Sequence, residues 1–221
     1  TVLRLLNGMI PEFYDGEASG KVEVAGMDPA SCPQYEIARS VGTVFQNPRT
    51  QFYTLNTTSE VAFGCENQGL ERAEIVRRVG NAAEELGIES LMNRSIFQLS
   101  GGEKQRLAVA SVYASDPDVF LLDEPSANLD DEGLAMLRDL LARLKAEGVS
   151  ALVADHRLAY LDGVMDRCAI LDGGRLVDDV GAQVRPGVAG GREGQDRPRR
   201  ELAHGGGALV VEVDHGGAGG Q

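Results

Sequence analysis

Apolar positions recur along this chain with two different periods. Between 71 and 86, Ile75, Val76, Val79, Ala83 and Leu86 fall on one side of a 3.6-residue repeat. Between 131 and 148, Leu134, Leu137, Leu141 and Leu144 do the same, with acids at the start of the stretch, Lys145 near its end and Gly148 just past it. Both patterns predict amphipathic helices. TVLRLL (1–6) predicts a shorter helix, ended by Gly8 and Pro11, and no capping residue precedes it, so the chain is expected to begin inside an element. Period-two or continuous apolar runs predict strands at KVEVAG (21–26), SVGTVFQ (40–46), VFLLDEP (119–125), ALVAD (151–155), CAIL (168–171) and, after a Gly-Gly turn, GRLV (174–177). VFLLDEP is apolar without alternation, as a parallel strand buried on both faces must be. Strands alternating with helices of this length predict an α/β fold with a parallel sheet, and 66–115, mostly helical, reads as a subdomain inserted between two strands.

LSGGEKQRLAV (99–109) predicts a helix start of unusual definition. Ser100 and Glu103 form a capping box, in which each side chain satisfies a backbone N–H at the helix end. Gly101 and Gly102 stand inside the box, although glycine weakens a helix by about 1 kcal/mol relative to alanine. Bare backbone at the positive end of a helix macrodipole suits the close approach of an anion, a phosphate above all.

Composition narrows the partners. A formal charge of −13 and a pI near 4.7 exclude non-specific nucleic-acid binding, which needs clustered Lys and Arg. The one basic run, 197–200, lies in a Gly-rich stretch and reads as solvated. Cys32, Cys65 and Cys168 are far apart, with no metal-ligand spacing, and read as free thiols in a reducing compartment. No apolar run approaches the roughly 18 residues of a membrane span, and no signal peptide is visible, so any membrane process is served from the water side. The 221 residues read as one domain, 1–180, followed by a Gly-rich tail, 181–221. In the tail only ALVVEV (208–213) has strand character; the remainder is expected to be disordered, or to be the product of a frame error in GC-rich DNA.

Chemistry gathers at strand ends, where an open α/β sheet holds its ligand. Asp123 and Glu124 close the most apolar strand. They either cap the next element or act together, the Asp holding Mg²⁺ through water and the Glu polarising the water that attacks a γ-phosphate. His156, after ALVAD, is either structural or a contact for that phosphate and water. Gln46 ends a third strand and suits a neutral group near Mg²⁺ and water.

LSGGEKQR, VFLLDEP, SANLD and DHR, in this order and spacing, resemble the nucleotide-binding domain of ATP-binding-cassette (ABC) proteins over about residues 1–178. The resemblance implies a P-loop NTPase-like core with an inserted helical subdomain. It also implies that Ser100, Gly101, Gly102 and Glu103 form the signature that meets ATP held by a facing subunit. Asp123 and Glu124 match the Walker B aspartate and the catalytic glutamate, Asp130 the D-loop, His156 the switch histidine and Gln46 the Q-loop glutamine. Catalysis then rests on Glu124 and His156, nucleotide binding on the others, and Mg²⁺ on Gln46 and Asp123. LNGMIPEFYDGEASGKVEVAG, NPRTQFYTLNTTSEVAFGCEN and DHRLAYL further resemble the ATPases of energy-coupling factor (ECF) importers of vitamins or metal ions. That resemblance implies a second cassette as partner, as a homo- or heterodimer or fused in tandem, together with a transmembrane coupling subunit met by the NPRTQF region and a membrane-embedded substrate-binding subunit. It implies a peripheral place on the cytoplasmic face of the membrane.

Such an ATPase also needs a P-loop, G-x-x-x-x-G-K-[ST]. None of the three lysines supplies one: Lys104 is in the signature, Lys145 ends a helix, and Lys21 follows Gly16 by one residue too few and precedes Val22. The expectation is a cassette whose P-loop and first strands lie before Thr1, active as an ATPase when intact and inactive as this chain alone. The alternatives are a catalytically incompetent fragment or regulatory cassette, and a soluble ABC protein outside transport.

Overall fold

The computed structural model describes residues 1–181 and 208–213. Six strands, β1 (Val41–Val44), β2 (Val119–Asp123), β3 (Ser150–Ala154), β4 (Arg167–Asp172), β5 (Arg175–Gly181) and β6 (Ala208–Val213), form one sheet in the order β1-β2-β3-β6-β4-β5. All neighbours are parallel except the β4–β5 hairpin, whose turn places Gly173 and Gly174 at φ +53° and +77°, the mirror-image geometry that matches strand twist. β6, from the segment read as tail, pairs on one side with β3 (Ala154 opposite Val211) and on the other with β4 (Leu171 opposite Val213). Residues 182–207 and 214–221, to which the expectation of disorder or a frame error applies, lie outside the described residues.

Helices cover both faces. On one side α1 (Val2–Leu6), followed by the short α2 (Met9–Glu12), and α3 (Gln34–Ser40) bring Leu3 and Ile37 against Val41, Leu121 and Leu152. On the other, α4 (Thr57–Asn67), α5 (Arg72–Glu85), α6 (Gly101–Ala114) and α7 (Asp131–Ala146) surround Phe120, Leu122 and Val153. Alternate residues of β2 thus enter different cores, and Val119 to Leu122 are all apolar, which is why the strand reads as an unbroken run. Phe120, Leu121 and Leu122 are each no more than 1% exposed, worth about 1.5–3 kcal/mol apiece in buried side chain.

The helical insert between β1 and β2 starts at Thr57, ahead of the expected 66, because Asn56 accepts hydrogen bonds from Thr58 N–H and Ser59 N–H and so begins α4. Two expectations need correction. KVEVAG is not a strand: Val24 and Met27 exchange backbone hydrogen bonds of 2.9 and 2.8 Å across a tight turn, with Ala25 and Gly26 at positive φ, and pairing stops there. Val76 does not join the buried side of α5. It is 64% exposed, while Ala82 is fully buried beside Val79, Ala83 and Leu86. On α7, Leu140 joins Leu137, Leu141 and Leu144 in the core, and Leu134 packs against it partly exposed.

Candidate functional site

Strand register assembles the first group of residues. Val44 lies opposite Leu122, and Asp123 opposite Ala154, so the segments after β1, β2 and β3 leave the sheet side by side at its carboxyl edge. These segments carry Gln46, Asp123–Glu124 and Asp155–His156. Gln46 stands two residues past the end of β1, in a loop closed by a hydrogen bond of 3.0 Å from Phe45 N–H to Gln51 Oε1. Its own Nε2 donates to Glu124 Oε2 at 2.8 Å.

Glu124 sits at φ +46°, in the left-handed region that side chains rarely adopt and that costs of order 1–3 kcal/mol. Its N–H donates to Ala154 O at 2.7 Å, continuing the ladder one residue past β2. The strained backbone thereby turns the carboxylate back toward Gln46. Asp123, the last residue of β2, lines a pocket of about 180 Å³ with Arg4, Asn7, Thr43, Gln46 and Thr50. Burial pushes its carboxyl up from the usual range, Glu124 adds to the rise, and Arg4 pulls it down.

After β3, Asp155 is 1% exposed, and the next residue, His156, has about half of its side chain in solvent. Asp155 accepts hydrogen bonds from Ser126 Oγ (2.8 Å), Ser126 N–H (3.3 Å), Arg157 N–H (3.0 Å) and Tyr160 Oη (3.2 Å). Arg157 Nη1 in turn donates to Ser126 O at 3.2 Å. Burial, reinforced by the Asp155 charge, pushes the Tyr160 phenol well up, so it remains a donor.

A second group forms at the start of α6. The capping box is present as the sequence predicts: Ser100 Oγ accepts from Glu103 N–H at 3.2 Å, and Glu103 Oε2 accepts from Ser100 N–H at 2.7 Å. These hydrogen bonds hold the Glu103 carboxyl below the usual range. The glycines now divide. A Cβ on Gly102 would stand 3.0 Å from Asn128 O, so this glycine admits the chain's own backbone, whereas Gly101 has only ordinary contacts with Asn128. Asp130 caps α7 through Gly133 N–H at 2.9 Å, which lowers its carboxyl, with Arg106 as a weaker cause. Arg106 reaches both Asp130 and Glu132, at 3.5 and 3.6 Å, and ties α6 to α7.

The structure therefore brings Gln46, Asp123, Glu124 and His156 to one sheet edge. It places Gly101 and Gly102 beside Asn128, two residues before Asp130, with Ser100 and Glu103 paired at the same helix start. Sequence reasoning passed over Asp155, Ser126 and Asn128. The signal for Asp155 was available: an acid inside the end of an otherwise apolar strand, directly before a histidine, is costly to bury unless something depends on it.

A parallel sheet with helices on both faces and polar side chains gathered at its carboxyl edge is an α/β architecture that holds a ligand at that edge. The family model described as ABC transporter matches residues 1–127, and the chain belongs to that family. It is 45% identical over 180 residues to a Treponema denticola protein named as an ABC transporter ATP-binding protein, covering 81% of this chain and 37% of that one. A Pyrococcus horikoshii protein of the same description is 38% identical, with 80% and 66% covered. The chain spans about a third of the length of the first curated relatives it matches. Among solved structures it resembles cbiO1 from Clostridium perfringens, part of the ABC transporter complex cbiONQ, at a TM-score of 0.70 and 29% identity, covering 82% of this chain and 71% of that one. An ATP-binding cassette in a dimeric post-hydrolysis state with ADP and Pi has a TM-score of 0.71 at 21% identity, with 83% and 80% covered, a likeness of fold. The architecture is the α/β, P-loop NTPase-like fold of ABC ATPases.

Proposed function

We propose that the chain is part of the ATP-binding and ATP-hydrolysing cassette of an ABC transporter, active in the intact protein, and within that class of an ECF-type importer of a vitamin or metal ion. The observation that carries this reading is the Gln46–Glu124 hydrogen bond of 2.8 Å at the carboxyl end of β1 and β2, beside Asp123. Glu124 is the general base that takes a proton from the water attacking the γ-phosphate, and Gln46 fixes its carboxylate before the nucleotide arrives. His156, exposed on the neighbouring loop, contacts the phosphate or orients the water. Ser100, Gly101 and Gly102, at the positive end of a 14-residue helix, take the γ-phosphate of ATP held by a facing cassette, and Asp130 lies in the same interface.

Asp123 and Gln46 fit Mg²⁺. Their pocket offers oxygen donors, Thr43 and Thr50 among them, and Gln46 engages Glu124 through Nε2, which leaves Oε1 as the atom suited to a hydrated cation. A cation there also favours the ionised form of the half-buried Asp123. Bound with ATP, Mg²⁺ supplies charge neutralisation on the phosphate oxygens.

The partner surface follows the second resemblance. Tyr53, Leu55 and Phe97 are 77%, 70% and 78% exposed, and Ile96 N–H donates to Leu55 O, which sets Phe97 beside Leu55. Buried Glu60 holds this loop by accepting from the N–H groups of Tyr53 and Thr54. Such an apolar patch suits a transmembrane coupling subunit. A peripheral place on the cytoplasmic face of the membrane follows from the importer reading; no helix among the described residues is long and apolar enough to cross a membrane. The ECF assignment draws on the likeness to cbiO1 and on the NPRTQF and DHRLAYL stretches.

The test is to purify the protein expressed from its gene out of solubilised membranes. ATP hydrolysis together with a co-purifying integral membrane subunit is the expected result. Turnover without a membrane partner contradicts the transporter role, and absence of turnover contradicts the ATPase.

A further inference from the structure

Resting on the ATPase reading, we propose that Asp155 is a positioning residue that locks the loop carrying Glu124 to the loop carrying His156. Asp155 touches no reacting group. Its carboxylate is buried and accepts from four donors, two on each side of the gap between the loops: Ser126 N–H and Oγ from the β2 side, Arg157 N–H and Tyr160 Oη from the β3 side. Arg157 closes the ring by donating to Ser126 O.

This ring explains how a strained glutamate is kept in place. Glu124, at φ +46°, is flanked by two attachments to the same neighbouring segment. Its own N–H is bound to Ala154 O at 2.7 Å, and Ser126, two residues on, is bound to Asp155. Backbone strain of this kind persists only where its surroundings over-determine it. His156 follows Asp155 directly, so the anchor that fixes the glutamate loop is also the base from which the histidine projects. A shift of either side chain is transmitted to the other through one carboxylate.

The chemistry requires an acid at 155. A carboxylate is acceptor-only and can meet four donors, whereas an asparagine presents an NH₂ to donors on at least one side and leaves buried groups opposed. A serine or threonine has too few acceptor sites to span both loops.

The test uses the protein as expressed from its gene, with three variants, ATP turnover and thermal unfolding. Asp155→Asn disrupts the link between the loops, and Ser126→Ala removes its shortest hydrogen bond while the backbone contacts of residue 126 remain. Both variants are expected to lower kcat by about tenfold or more with the KM for ATP within about twofold, the pattern of an interaction that matters only in the transition state. The double variant is expected to be no worse than the worse single, because both remove one connection. Tyr160→Phe removes a donor that lies on the same side as Asp155, so it is expected to lower Tm and leave kcat within about twofold. The inference is overturned if Asp155→Asn and Ser126→Ala keep wild-type kcat, or if all three variants lose kcat in step with Tm, as a purely structural staple would. Should Asp155→Asn fail to fold, Ser126→Ala, which deletes one hydroxyl, decides the matter. An inactive wild-type protein would instead overturn the ATPase reading on which this rests.

Discussion

Gln46 Nε2 donates to Glu124 Oε2 across 2.8 Å, joining a loop after the edge strand β1 to the residue after its neighbour β2. The two are 78 residues apart in sequence, with the whole helical insert between them.

Replacing the amide by an acid tests this contact. Gln46→Glu sets two carboxylates against each other, which raises the proton affinity of the pair. The acid limb of the turnover–pH profile is expected to move upward relative to wild type; an unmoved limb would mean that the two side chains are apart in the working enzyme.

The capping box yields a stability prediction. Ser100→Ala removes the bond to Glu103 N–H and is expected to cost about 1 kcal/mol in unfolding free energy. It also removes part of what lowers the Glu103 carboxyl. Because the folded value is depressed, the stability linked to Glu103 is complete above its unfolded pKa and is lost as pH falls through the folded one. Titration by NMR should show Glu103 below the ordinary glutamate range in the wild type and closer to it in the variant.

The two glycines of the signature should respond differently to alanine. Gly101→Ala meets only ordinary contacts and is expected to raise stability, by up to about 1 kcal/mol. Gly102→Ala places its Cβ 3.0 Å from Asn128 O, so the gain in helix propensity is offset and Tm should stay level or fall. Equal stabilisation by both would remove the packing reason for Gly102.

Residues 1–221 contain no Gly-x-x-x-x-Gly-Lys-Ser/Thr, so this chain as it stands is predicted to bind Mg-ATP weakly or not at all. Calorimetry that found micromolar affinity would show that other residues cradle the phosphates.

Legibility in the sequence followed the strength of the local signal. β2 was readable because both its faces are buried, the α6 start because its capping box is a local code, and α7 because a four-turn stripe outweighs any single residue. KVEVAG misled because alternation describes a strand only where a partner extends the pairing, and Ala25–Gly26 turn the chain after one bridge. Val76 was assigned to the core of α5 by hydrophobicity, yet the insert packs through its small residues Ala82 and Ala83, which such a pattern undervalues. The site residues at strand ends were legible as types. Their grouping was not, since the approach of Gln46 to Glu124 and the ring at Asp155 depend on strand order and register.

The most direct measurement compares Glu124→Gln with wild type, in the protein expressed from its gene, for ATP turnover and ATP binding together. The substitution keeps the shape of the side chain and a partner for Gln46 while removing the base. Turnover is predicted to fall by at least about 100-fold with binding retained. Turnover within a few-fold of wild type would contradict the assignment of Glu124 and with it the proposed mechanism.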